Sequence, residues 1–299
     1  MAIVVQLLRI MGRVARTGGL AAALAALLSG CSAIKLGYAA LPELLYWRVD
    51  AHLDLDADQA PRVRDALARL QRWHRSDELP RYAAMLDEAA RLAEGGFTAA
   101  QACALVPQGR ERLAALAAQA EPAIAALALS LSPAQITHLQ KHFARRDAEW
   151  RKEWLDAPPA ELAQRRARLI AERAETFYGP LDDAQRARVL QAVQQSTWDG
   201  VAFFAERQRR QNDAVQTLRA VSSTPGMTPA QAREAVRGWL QRSIETPDAA
   251  WRARRDAWAD ESCRGAAAVH ASATPAQREA AVKRLRAYQR DLLDLAATR

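Results

Sequence analysis

Between Ser132 and Leu155 the large apolar side chains stand at Ile136, Leu139, Phe143, Trp150 and Trp154, the spacing of three and four that puts them on one face of a helix. Just ahead of this stripe is Ser132-Pro133-Ala134-Gln135. The same [Ser/Thr/Asp]-x-x-Gln arrangement precedes helical stripes at Asp56–Gln59, Thr98–Gln101, Asp182–Gln185, Thr228–Gln231 and Thr274–Gln277. It is the chemistry of a capping box: the short side chain accepts from the N–H three residues on, and the glutamine reaches back to the cap's own N–H. An apolar staple (Leu55, Phe97, Leu131, Leu181 or Met227) stands before five of the six caps, and Ala273 before the last. Pro133, Pro229 and Pro275 occupy the first helical position, where a missing N–H costs nothing.

These starts, with breaks at Gly95-Gly96, Pro158-Pro159, Gly179-Pro180 and Ser222–Pro229, predict helices over 34–50, 59–74, 78–94, 98–118, 122–130, 133–155, 159–177, 183–221, 229–243, 247–262 and 275–297. The segment 183–221 is expected to bend near Gly200. The intervals between the six glutamines are unequal, so the boxes punctuate helices without setting a solenoid period. The fold class predicted is all-α, an elongated bundle of antiparallel helices and helical hairpins. Composition agrees: Ala, Leu, Arg, Gln and Glu dominate, and the usual strand formers are scarce.

The amino terminus alters the picture. Arg9, Arg13 and Arg16 precede an uncharged run that ends in Leu28-Ser29-Gly30-Cys31. A basic region followed by a short apolar stretch is a secretory signal, and the final four residues resemble the lipobox of bacterial lipoproteins. The expectation is a cleaved signal peptide over 1–30 and one all-helical periplasmic domain over 31–299, acylated at Cys31. The acyl chains would tie the protein to a membrane; Ser32 rather than Asp after the lipid site favours the outer membrane, facing the periplasm.

Removing the signal takes away three arginines and no acids, so the formal charge falls from +8 to +5. The basic runs are interleaved with Glu and Asp at helical spacing and read as a solvated, ion-paired surface, so nucleic acid is not an expected partner. Cys103 and Cys263 would lie in an oxidising compartment, as a disulfide or as two separate small residues in Ala-rich helices. His138 and His142 lie four apart, but position 139 is Leu where a zincin helix needs Glu. No metal or cofactor is expected, and the pair reads as a solvent-edge feature. Asp147 falls within the apolar stripe and should be paired by an arginine from another helix.

The stretch Leu36–Leu86 resembles a family of uncharacterised proteobacterial lipoproteins. The resemblance rests on Leu36-x-Tyr38 soon after the lipid cysteine, Trp47-x-x-Asp50, Leu55-x-x-x-Gln59, Trp73-His74 and Glu78-Leu79-Pro80-x-Tyr82. Arg173–Gln185 is also similar to that group. The resemblance implies an all-helical envelope lipoprotein and brings no activity, cofactor or catalytic residue. A weaker similarity, through the caps at Ser132, Asp182 and Thr228, is to small periplasmic chaperones with Leu-Thr-x-x-Gln repeats. The function expected is therefore non-enzymatic: binding of envelope proteins or unfolded clients, or an assembly role. The alternative is an envelope hydrolase or cell-wall-modifying enzyme near His74 and Glu78, and Trp47, Asp50, Trp73, His74, Glu78 and Tyr82 are the candidate binding residues.

Overall fold

The computed structural model describes residues 33–298. Cys31 and the signal segment lie outside the described residues, within which the chain is helical throughout and has no strand. In chain order the helices are α1 (Ala33–Ala39), α2 (Leu41–Leu53), α3 (Gln59–Trp73), a π turn (His74–Glu78), α4 (Leu79–Glu94), α5 (Ala99–Ser130) and α6 (Pro133–Trp154). There follow α7 (Pro159–Tyr178), α8 (Asp183–Gln194), α9 (Gly200–Ser223), α10 (Pro229–Ile244), α11 (Ala249–Ser272) and α12 (Pro275–Ala297).

Helix α5 is the spine. Its 32 residues span about 48 Å at 1.5 Å per residue, and α3, α4, α9, α10 and α11 pack along it. Its mean hydropathy and length would suffice to cross a bilayer, yet it carries buried Glu121, held by Arg233 at 2.8 Å and Arg237 at 3.0 Å from α10. Around its C-terminal end Ala125, Ala128 and Leu131 join Ile136, Leu139, Val215, Leu218 and Val236 in the larger apolar core. A smaller core joins Ala167 of α7 to Val189 and Val193 of α8. Near the start of α5 a disulfide ties Cys103 to Cys263 of α11, with Cα atoms 5.5 Å apart. The first and last described helices meet where Lys35 of α1 pairs with Asp294 of α12 at 2.7 Å.

All six capping boxes form, but in two different ways. Thr98 and Thr228 cap their helices with exposed glutamines, Gln101 and Gln231. The other four boxes are joined in pairs. Gln59 and Gln135 exchange amide hydrogen bonds, at 3.2 and 2.6 Å. Gln185 and Gln277 do the same, at 2.9 and 3.1 Å. Each of these glutamines also donates to the carbonyl two residues ahead of its partner's cap, namely Ser130, Asp54, Ser272 and Pro180. The four amides are thereby satisfied on both atoms while three of them are buried. Because Asp54 ends α2, the first pair fixes α2 against α6.

Three expected boundaries are corrected. The helices expected over 98–118 and 122–130 are one, with Pro107 and Pro122 inside it; the packing of Ala125 and Ala128 in the core outweighs the loss of one helical hydrogen bond at each proline. The segment 183–221 does not bend but stops. Glu261 of α11 takes the Thr197 N–H and the Ser196 hydroxyl, and Asp199 caps a new helix through the N–H groups of Val201 and Ala202. Gly200 is required there, since a Cβ would come within 2.8 Å of the Trp198 ring. Finally, α11 runs through Gly265 to Ser272, ten residues past its expected end.

Candidate functional site

The sequence-predicted residues divide into two groups. The first is built by the π turn. Pro80 has no N–H, and its ring would crowd the carbonyl four residues back, so the chain widens by one residue and the Leu79 N–H reaches the His74 carbonyl instead. The widened turn presents His74 between two tyrosines. Tyr38 of α1 donates to the Gln71 carbonyl at 3.2 Å and lies 3.1 Å from His74 Nδ1; Tyr82 lies on the other side, ring centroids 5.6 Å apart. With the Tyr38 hydroxyl proton spent on Gln71, the arrangement is satisfied when Nδ1 carries the histidine proton. Trp73 meets His74 edge-on. Burial pulls the His74 pKa below its ordinary value against the opposing charge of Glu78, and burial raises both tyrosines.

Glu78, 2 % exposed, closes this cluster. Its Oε1 meets Arg112 of α5 at 3.3 Å and Arg81 at 3.8 Å, while Oε2 is buried without a hydrogen-bond partner. The cluster thus joins α1, the π turn, α4 and α5. Trp47 and Asp50 do not belong to it. Trp47 is 57 % exposed on α2. Asp50 accepts from the Leu55 N–H at 3.0 Å and so shapes the turn after α2, where Asp54 adopts a positive φ of 52°.

A different concavity, of about 400 Å³, lies where α2, α6, α9 and α11 meet. Helix α2 contributes Arg48 and His52, and α6 contributes Phe143 and Arg146. From α9 come Phe203, Glu206, Arg207 and Arg210, and Trp251 of α11 completes the wall. Asp147 is paired as its place in the apolar stripe requires: Arg207 Nε donates at 2.7 Å and Gln211 Nε2 at 2.9 Å. Glu206 accepts from Arg209 and, at 2.6 Å, from Arg210 Nε. Burial alone would raise the Glu206 carboxyl, but the arginine hydrogen bonds outweigh it and hold the group below the ordinary range. The His52 and His142 rings meet at a tilt of 38° with centroids 4.0 Å apart, and burial lowers both pKa values. His138 turns away, its Nε2 3.2 Å from the Ala51 carbonyl. Among the described residues no group of three or more His, Cys, Asp or Glu side chains could hold a metal ion.

Sequence reasoning missed this cleft. Arg146, Arg207 and Arg210 sit in runs that look like ordinary ion-paired helix faces, Arg48 stands alone on α2, and only the packing of four distant segments brings them together.

The model of a family of unknown function, DUF6279, matches residues 51–232, and the chain belongs to that family. The match begins after Trp47 and Asp50 and covers α3 to the start of α10. Comparison with curated proteins and with solved structures gives no match.

Proposed function

We propose that this member of the DUF6279 family is a lipoprotein of the bacterial envelope, acylated at Cys31 and held at the outer membrane facing the periplasm, and that it acts by binding rather than by catalysis. The observation that carries the binding reading is the fate of the polar residues expected near a reaction centre. His74 and Tyr82 pack helix against helix, Glu78 is spent on Arg112 and Arg81, and Asp50 holds a turn. An enzyme would need those groups to converge on a space that substrate can enter.

The location reading is supported by the basic segment, apolar run and Leu28–Cys31 box. The Cys103–Cys263 disulfide suits an oxidising compartment. α1 begins two residues after Cys31, so an acyl anchor would hold the exposed side chains of Leu36, Leu44 and Trp47 near the membrane surface.

Two experiments test the two halves. Cys31→Ala should move the protein out of the membrane fraction, and unchanged partitioning would overturn the anchor. Crosslinking in intact cells should capture an envelope protein or an unfolded client, and the purified protein should suppress aggregation of a model client if clients are its partners. Failure of both would remove the macromolecular binding role.

A further inference from the structure

We propose that the cleft between α2, α6, α9 and α11 is a binding site for an oxyanion carried on an apolar group, a phosphate monoester or its carboxylate equivalent. This deepens the binding reading above and does not depend on the lipid anchor.

The first support is charge. Arg48, Arg146, Arg207 and Arg210 line the cleft, with Arg209 just behind. Against the four lining guanidiniums stand three carboxylates, Glu206, Asp147 and Glu149, while Arg209 has a carboxylate of its own in Asp213. One positive charge remains in excess before His52 or His142 is counted.

The second is how the guanidiniums are held. Arg207 and Arg210 are each anchored through Nε, to Asp147 and Glu206. Their terminal Nη groups have no hydrogen-bond partner among the described residues, and neither does the Arg48 side chain. A guanidinium fixed at Nε keeps its planar Nη donors available, in the geometry that grips a phosphate or carboxylate. Asp147 stands behind the wall, and Glu206, which is part of the wall, is below 9 % exposed and already takes Arg209 and Arg210. Arg146 spends one Nη on exposed Glu149, whereas Arg207 and Arg210 are held at Nε and present their terminal donors to the concavity.

The third is the apolar part of the wall. Phe143, Phe203 and Trp251 line the same cleft, and Phe203 packs edge-on against Trp251 with centroids 5.2 Å apart. Aromatic rings beside fixed guanidiniums favour an anion that carries a ring or short chain over a bare ion, and about 400 Å³ is within the range of small-ligand sites.

Isothermal titration of the full chain in a nonionic detergent tests this with phenyl phosphate, inorganic phosphate, phenol and dihexanoyl phosphatidic acid. We expect saturable one-site binding of phenyl phosphate, displacement by inorganic phosphate at tenfold or higher concentration, and none by phenol. Tighter binding of dihexanoyl phosphatidic acid than of phenyl phosphate would identify a lipid headgroup as the source of the oxyanion; the reverse order would identify a soluble ester. The double variant Arg48→Gln/Arg146→Gln should weaken binding at least tenfold with an unchanged unfolding midpoint, because neither residue holds a buried partner. Arg64→Gln, on α3, should leave binding unchanged. Absence of saturable binding of both phosphate esters, or equal binding by the double variant, overturns the site. Such a failure beside a successful crosslink would remove this ligand while the macromolecular binding role stands.

Discussion

The π turn and the arginine cleft contain similar chemistry in opposite states. At the π turn, Tyr38 donates to backbone and lies against His74 Nδ1, Tyr82 packs on the His74 ring, and Glu78 takes Arg112 and Arg81 through one oxygen while the other stays buried without a partner. In the cleft, carboxylates hold arginines by Nε and leave the terminal donors unspent. The first arrangement joins four elements by close packing; the second also joins helices but keeps guanidinium donors in a space that small molecules can enter. Polar residues close together in sequence fold onto each other, whereas this open site is assembled from residues as far apart as Arg48 and Trp251.

The contrast can be broken most forcefully at the cap that holds the cleft's walls. Gln135→Glu removes the amide that serves both Gln59 and the Asp54 carbonyl, and should cost about 3 kcal/mol, since a buried acceptor left without a donor costs about 1–3 kcal/mol and a buried charge adds to it. The same change at exposed Gln231 keeps the acceptor that the cap needs and should shift stability by less than about 0.5 kcal/mol. Urea denaturation of the two variants measures both. Equal effects would mean that amide pairing contributes nothing beyond capping.

Next in size is Arg112→Met, which leaves Glu78 buried with only Arg81 near it. A loss of about 2 kcal/mol is expected, below the roughly 3–5 kcal/mol of a fully broken buried pair. Phenyl phosphate binding should be unaffected. Thr228→Ala removes an unpaired cap and should cost about 1 kcal/mol by the same denaturation assay.

The smallest effect is the pH dependence. His52, His74 and His142 have folded-state pKa values below the ordinary 6.5, each chiefly through burial. The unfolded chain therefore takes up protons first. Their contribution to stability is complete above pH 6.5 and declines as pH falls through 6.5 towards the lowered folded values. Around His52 and His142 the charges of Arg48, Arg145 and Arg146, with His138 beside them, act in the same direction. A His52→Gln/His142→Gln variant should therefore lose less stability than the wild type on acidification, the remainder arising at His74. Thermal melts between pH 7.5 and 5.5 would show this; equal slopes for the two proteins would place the acid loss away from the histidine pair.

Helix starts were legible because capping is local: Thr98, Ser132, Asp182, Thr228 and Thr274 each act on residues within one turn. Helix interiors and ends were less so. The split expected between 118 and 122 disappears once the packing of Ala125 and Ala128 is known, and α11 runs through Gly265 past its expected end at 262. The break at 195–199 depends on Glu261, some sixty residues away, and no local pattern reveals it. Of the candidate site, the sequence identified His74, Glu78 and Tyr82 but not that Tyr38 and Arg112 would be packed onto them. It marked Arg207 and Arg210 only as part of a charged run, because Phe143, Trp251 and Arg48, which face them, lie on other helices.

The division of labour between the two regions is tested most directly by measuring unfolding midpoint and phenyl phosphate affinity together for Arg112→Met and for Arg48→Gln/Arg146→Gln. The account predicts a lowered midpoint with wild-type affinity for the first, and a wild-type midpoint with at least tenfold weaker binding for the second. Loss of affinity in Arg112→Met, or wild-type affinity in the double variant, would contradict it.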